Sequence, residues 1–175
     1  VVVSLLIISI GVLGMAGLQI NAKRAAHEAV QRTTAAYLAA DMLERMRSNS
    51  SVLASYVTAG LGGGSITSEP SPNCLSAACS AAELAAHDLW SWEQSIDGAT
   101  ETRTVGGASV STGGLLDPTG CISHASGTIT IAVAWKGHQA LSNPTSSSCG
   151  SGAGKYGTND ANRQVLVMST YIYDD

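Results

Sequence analysis

The first twenty residues, "VVVSLLIISIGVLGMAGLQI" (1–20), carry no charged side chain and run without a proline into a polar stretch, "NAKRAAHEAVQRTTAAYLAADMLERMRSNS" (21–50). As a helix, the apolar part would extend about 30 Å, close to the hydrocarbon thickness of a bilayer. The first charge is Lys23. This stretch therefore predicts a membrane-inserted helix that continues into a polar half.

Two other interpretations of residues 1–20 remain. A cleaved signal peptide would have a basic start, a shorter apolar region and a cleavage site followed by a turn. Here no basic residue lies within or before the apolar run. A buried core helix is the other alternative, and the terminal position and the lack of polar residues fit it poorly. We favour insertion into a membrane.

The helix is expected to continue to about residue 57, because neither Gly nor Pro occurs between residues 18 and 59. Apolar residues recur along it at nearly helical spacing and form one stripe. The stripe consists of Val30, Leu38, Met42, Met46, Leu53 and Val57. Asp41 and Arg45 stand four residues apart in the favourable order, with the acid first. We expect the second half of the stripe to pack on the chain's own head and the first half to meet lipid or other subunits.

The composition favours an exported protein with a small domain. The chain has 175 residues, 13% of them charged, a net charge of −4 and only nine Lys and Arg, so no basic surface for nucleic acid is expected. The four cysteines predict two disulfides, and we favour Cys74–Cys79 and Cys121–Cys149. The first would close a local loop, and the second would hold a long Gly/Ser-rich segment. A zinc site at Cys74 and Cys79 is the alternative.

The rest of the chain predicts one helix and a few strands. A loop at 60–73 precedes a second helix, which begins at the Ser80–Glu83 capping box, places Ala85, Leu89, Trp92 and Ile96 toward the core and ends at Gly98. We expect Trp92 in the core and Trp90 at a domain edge. A weak strand is expected at 102–111 and clear strands at 128–135 and 164–173. The predicted class is α+β: a long N-terminal helix packed on a small antiparallel sheet.

The sequence contains no pattern typical of a catalytic, cofactor or metal site. His27, His87, His124 and His138 are scattered, and the "GLGGG" at 60–64 lacks the strand, helix and Lys-Ser/Thr of a phosphate-binding loop. No G-x-S-x-G motif occurs. We therefore expect neither catalysis nor a cofactor.

The apolar segment resembles the hydrophobic helix of type IV prepilins, which follows a short leader and the sequence G-F-T-L-I-E. The stretches "AYLAADMLERMRSN" (36–49) and "CLSAACSAAELAAHDLWSWEQSI" (74–96), with "GCIS", "TITIAVAWKG" and "RQVLVMSTYI" further on, resemble the minor pilins of the type IV pilus modification protein PilV family. The chain starts where F-T-L-I-E would end, so we expect that segment and its glutamate to precede Val1.

The resemblance implies a non-enzymatic subunit of the pilus tip complex, which initiates assembly and supports adhesin display. The implied partners are other minor pilins, the major pilin, a tip adhesin, the prepilin peptidase and the inner membrane. It also implies three parts, a membrane and filament-core helix (1–20), its amphipathic continuation (21–58) and a periplasmic head (59–175). The expected assembly interface lies on the first two parts, with further contacts near Trp90. Its residues are Leu5, Leu6, Ile10, Leu13, Leu18, Val30, Leu38, Met42 and Met46.

Two other functions fit parts of this pattern. A type II secretion minor pseudopilin would share the anchor and the mode of assembly. A receptor-type pilin that binds DNA or a host surface would need an exposed basic or aromatic patch, and the charge balance argues against the basic version. The expected location is a single pass through the inner membrane with the C-terminal domain in the periplasm, and the pilus tip after assembly.

Overall fold

The computed structural model describes residues 2–173, without the side chains of Val2 and of residues 5–10. It has two long helices, two short 3-10 segments and six strands. The order along the chain is α1 (Val2–Ser48), a 3-10 segment (Ser50–Tyr56), β1 (Thr58–Leu61), α2 (Ala81–Asp97), β2 (Thr102–Val105), β3 (Ala108–Ser111), β4 (Thr119–Ala125), β5 (Thr128–Lys136), a 3-10 turn (Thr158–Asp160) and β6 (Arg163–Tyr171). The predicted α+β class is confirmed.

The first helix is long, but it ends earlier than the sequence indicated. Its 47 residues extend about 70 Å, and the helical backbone stops at Asn49, where φ is −134°. The Asn49 amide donates hydrogen bonds to the Tyr56 hydroxyl and to the Ala81 carbonyl. A buried Asn thus ends the helix where no Gly or Pro stands, and the expected helix to residue 57 is wrong. Leu53 lies in the core, whereas Val57 is half exposed.

The second helix forms as predicted. Ser80 and Glu83 make a reciprocal capping box, and Gly98 closes the helix in the left-handed conformation. Trp92 is fully buried, and its indole N–H donates to the Leu38 carbonyl at 2.8 Å. Trp90 is only partly buried. This bond and the surrounding apolar contacts seat α2 on α1.

The main sheet is antiparallel, with the strand order β1-β4-β5-β6. The alternating residues Ile129, Ile131 and Val133 of β5 are fully buried and Trp135 nearly so, which confirms the predicted inward face. These residues share one core cluster with Leu38, Met42 and Met46 of α1 and Trp92 and Ile96 of α2. The sheet therefore packs one face against the two helices.

The strand β4 was missed because its sequence, "TGCISHA", carries one large aliphatic side chain. Its Gly120 lies under Trp92, and a Cβ there would come within 2.6 Å of the indole ring. A side chain at this position would push α2 off the sheet. A glycine that weakens a strand signal in the sequence thus permits close packing in the fold.

The weak strand expected at 102–111 is a hairpin. β2 and β3 pair through the two-residue turn Gly106–Gly107, where both φ values are positive, as a primed hairpin turn requires. All eight strand residues are exposed. The hairpin therefore adds little to the head's core.

The outer face of the sheet is covered by the connection from 137 to 162. Cys149 in this connection is bonded to Cys121 of β4, and Cys74 is bonded to Cys79, so both favoured pairings are present. Arg163 is almost fully buried. Its guanidinium donates to the Asn143 side chain and to the carbonyls of Pro144, Ser147 and Cys149. One disulfide and one cation therefore order a segment with little apolar content.

Glu93 of α2 holds the glycine-rich loop after β1. Its carboxylate accepts hydrogen bonds from the backbone N–H groups of Gly62, Ser65 and Ile66 and from the Ser65 hydroxyl, at 2.6–2.9 Å. Burial by itself would raise the pKa of Glu93, but these hydrogen bonds outweigh it and lower the pKa below its usual value. Asp97 accepts from Gly63 and Gly64 in the same way. Three backbone donors of "GLGGG", those of Gly62, Gly63 and Gly64, are thus directed at the chain's own carboxylates.

The Glu93 contacts predict a pH-dependent loss of stability. A lowered folded-state pKa stabilises the fold above the unfolded value, about 4.5, and the contribution fades as the pH falls through the folded-state pKa. We expect Glu93→Gln to cost about 2 kcal/mol at pH 7, roughly 4–8 °C in Tm. The difference from the unchanged chain should shrink below pH 4. Thermal melts of the full chain in detergent at both pH values test this.

The control is Glu44→Gln, since Glu44 is exposed and pairs with Arg47 at the surface. That change should cost less than about 1 kcal/mol at either pH. An equal loss for the two variants, or a Glu93→Gln deficit that persists undiminished in acid, would contradict the assigned role of Glu93.

Candidate assembly surface

The helix α1 leaves the head with its apolar side chains uncovered. We call residues 11–30 the arm. All of its residues are exposed except Glu28, which is half-buried. The large apolar ones point in several directions around the helix, because Val12, Leu13, Met15 and Leu18 are 60–73% exposed. An apolar helix without a covered face needs lipid or other protein around it.

The head begins to hold α1 at the end of the arm. Glu28 accepts hydrogen bonds from the backbone N–H groups of His138 and Gln139, and the Gln31 side chain accepts one from Leu116. Ala35, one turn further, is the first fully buried residue among the side chains that the structure describes. The change from exposed arm to buried core thus takes about two turns of helix.

The expected interface residues divide between these two environments. Leu13, Leu18 and Val30 lie on the arm and are 61–73% exposed. Leu38, Met42 and Met46 are 0–4% exposed inside the head. The expectation that these last three contact other subunits is corrected, because the head's own sheet and α2 cover them. The side chains of Leu5, Leu6 and Ile10 lie outside the described residues.

The exposed face of α1 extends past the arm along the back of the head. Val30, Tyr37 and Glu44 are seven residues apart and therefore lie on one face. Tyr37 is 72% exposed although its neighbour Leu38 is buried. Tyr37 was not among the expected interface residues, because the apolar pattern continues through Leu38, Met42 and Met46 on the buried side of α1. The feature that could have identified Tyr37 is its position on the helix face opposite the buried residues.

A buried polar cluster fastens the end of α1 to α2. The Tyr56 hydroxyl donates to Asp88 at 2.7 Å, and Arg45 donates to Asp41 at 2.9 Å and to Asp88 at 3.2 Å. The predicted Asp41–Arg45 pair is thus confirmed and extended to the second helix. Burial, reinforced by the Asp88 carboxylate, raises the pKa of Tyr56 far above its usual value. Tyr56 therefore stays a neutral donor, and the cluster fixes the head's orientation on α1.

The described residues offer little for chemistry. Among them, no group of three or more His, Cys, Asp or Glu side chains is placed to hold a metal ion. Every cysteine is in a disulfide. Within the same range, no helix combines the length and the apolar character that a membrane crossing requires.

Comparison with known families finds one match. A family model described as "Tt1218-like: Type IV pilin Tt1218" matches residues 17–90. The match supports a type IV pilin family. It runs through the end of the arm, the buried half of α1 and the first ten residues of α2. No curated protein and no solved structure matches the chain at a significant level. Type IV pilins are in general structural proteins, and their common feature is assembly with other pilins.

The two halves of α1 predict opposite responses to substitution. Val30→Asp should change stability by less than about 0.5 kcal/mol, because the side chain is 61% exposed. Leu38→Ala removes a side chain that is 4% exposed and should cost about 2–5 kcal/mol. Thermal melts of the full chain in detergent compare the two. A large loss with Val30→Asp, or none with Leu38→Ala, would show that the division between arm and core is placed wrongly.

Proposed function

We propose that this chain is a minor pilin of the type IV pilus, a non-enzymatic subunit of the complex that initiates assembly at the tip. The observation that carries the proposal is the single helix α1, which is core in its second half and uncovered along the arm. The family match across residues 17–90 supports it, since it includes both environments.

The arm has to be covered in two successive settings. Before assembly, residues 1–20 lie in the inner membrane and the head in the periplasm. During assembly the same helix leaves the lipid and packs among the helices of other subunits. One surface then has to suit lipid and protein, and an apolar surface on all sides does so. Gly11, Gly14 and Gly17 have nothing within 4 Å of where a Cβ would stand, which leaves room for a neighbouring helix.

The priming role follows from the energetics of starting a filament. A subunit in the shaft has neighbours on every side of its helix, whereas the first few subunits have few. Nucleation is therefore the least favourable step, and a dedicated tip complex lowers that barrier. The sequence resemblance supports the finer assignment to the PilV family and the display of a tip adhesin, with other minor pilins and the major pilin as partners and the prepilin peptidase for leader removal.

The priming role predicts the phenotype of a deletion. A strain that lacks this chain should carry few or no surface pili while the major pilin still accumulates in the inner membrane. Electron microscopy of cells and immunoblots of membrane fractions measure both. Normal piliation in the deletion strain would refute the priming role. A defect in protein secretion with intact pili would instead identify a type II secretion pseudopilin.

Complementation of the same strain tests the interface on the arm. Val30→Asp should fail to restore pili, because an unpaired charge buried against a neighbouring subunit costs several kcal/mol. Val30→Thr is the matched control, since it keeps the shape without a charge and should restore pili. Full piliation with Val30→Asp would exclude Val30 from the interface.

A further inference from the structure

Two histidines from distant parts of the chain meet near the end of the arm. His27 lies on α1, and His138 lies in the connection that follows β5. Their ring centres are 4.6 Å apart, and the ring planes are tilted by 46°. Both side chains are exposed. Among the described residues, no hydrogen bond or ion pair engages a ring nitrogen of either histidine. The pair therefore presents two imidazoles to solvent with their nitrogens uncommitted.

The backbone that carries His138 is fixed from two sides. The Oε1 atom of Glu28 accepts a hydrogen bond from the backbone N–H of His138 at 3.1 Å. The preceding residue, Gly137, exchanges two hydrogen bonds with Asn162, through its N–H at 2.7 Å and its carbonyl at 3.1 Å. Because His27 and Glu28 are neighbours on one helix, the Glu28 bond also sets the distance between the two imidazoles.

The separation of the rings matches two ligands of one metal ion. With metal–nitrogen bonds of about 2.0–2.1 Å, each ring centre stands about 3.2 Å from the ion, so a separation of 4.6 Å gives about 90° between the two bonds. Adjacent ligands at a right angle are typical of the square-planar sites that Cu(II) and Ni(II) form with nitrogen and oxygen. Both rings are exposed, so each can turn about its side-chain bonds to direct a nitrogen at the shared ion.

We propose that His27 and His138 form a binding site for a divalent transition-metal ion, with Cu(II) bound most tightly. Imidazole is a common ligand of Cu(II), Ni(II) and Zn(II), and among these ions Cu(II) has the highest affinity for a given nitrogen site. Water completes the coordination shell. The ion joins α1 to the connection between β5 and β6. The site does not depend on the proposed assembly function.

The surroundings of the pair exclude other classes of cation. Ca²⁺ and Mg²⁺ need several oxygen ligands, and no group of three or more His, Cys, Asp or Glu side chains is placed to hold a metal ion within the part of the chain that the structure describes. Lys23 and Arg24 stand one turn before His27 on the same side of α1, so charge attraction alone is weak there. All cysteines are in disulfides and offer no competing thiolate.

Binding is tested with Cu(II) on the full-length chain, without a polyhistidine tag, in detergent micelles. The first equivalent should give an electron paramagnetic resonance spectrum of square-planar Cu(II) with two imidazole nitrogens. In NMR, it should broaden the ring signals of His27 and His138 well before those of His87 and His124. No bound-ion spectrum, or equal broadening at all four histidines, would overturn the proposal.

Single and double variants test whether the two rings share one ion. His27→Ala and His138→Ala should each weaken Cu(II) binding at least tenfold, and the two losses should not add in the double variant, because either change breaks the same site. His124→Ala is the matched control and should keep the full affinity. Unchanged affinity in either single variant, or two independent ions of which each variant loses one, would contradict a shared site.

Glu28 acts as a positioning residue for His138, and two variants separate its hydrogen bond from its charge. Glu28→Ala removes the acceptor of the His138 N–H and should weaken Cu(II) binding severalfold. Glu28→Gln keeps a side-chain oxygen and should restore most of the affinity. Equal losses in both variants, or displacement of Cu(II) by Ca²⁺ or Mg²⁺ at equal concentration, would show that charge attraction holds the ion and would contradict the assignment.

Discussion

The rest of the structure depends on the division of α1 into a half that is buried in the head and an arm that the head does not cover. The buried half carries Leu38, Met42 and Met46 into the same cluster as β5 and α2, and each such side chain contributes about 1.5–3 kcal/mol on burial. Trp92 completes the arrangement, because its indole N–H is bonded to the Leu38 carbonyl and its ring lies on Gly120. The head cannot detach from α1 without losing its own core. The exposed arm thus belongs to the same helix as part of the head's core.

Some of the few charged residues of this chain order its loops. Glu93 and Asp97 take the donors of the glycine-rich loop after β1, and Arg163 takes carbonyls of the connection over the outer face of the sheet. The Cys121–Cys149 bridge adds a covalent constraint across 28 residues. These segments contain much Gly and Ser, and the apolar cluster on the outer face of the sheet is small, with Ala132, Ala134, Cys149 and Tyr156. Buried charge and a disulfide therefore supplement its apolar packing.

Features with a local physical cause could be predicted from the sequence. The capping box, the Gly98 helix end, the Asp41–Arg45 pair and the inward face of β5 each follow from residues near one another in the chain. The end of α1 could not be predicted, because Asn49 stops the helix through bonds to Tyr56 and Ala81, up to 32 residues away. The strand β4 could not be predicted for a similar reason. Its Gly120 is required by close packing against Trp92, which lies on another element of the fold.

The expected interface residues lie in two different environments for one physical reason. Near-helical spacing drifts around the helix over many residues, so a stripe drawn from it can pass from one face to another. Val30 and Leu38 were assigned to one stripe, yet Val30 lies on the face of exposed Tyr37 and is 61% exposed, whereas Leu38 is 4% exposed.

The central claim, that α1 changes from uncovered arm to head core near residue 31, is tested most directly by amide hydrogen exchange on the full-length chain in detergent micelles. Protection reports the free energy needed to open each segment. The account predicts that residues 35–46 exchange as slowly as β5, and that the polar part of the arm, residues 21–30, exchanges at least a hundredfold faster. Equal, strong protection along the whole of 21–46 would show that the arm is covered within the subunit and would contradict the account.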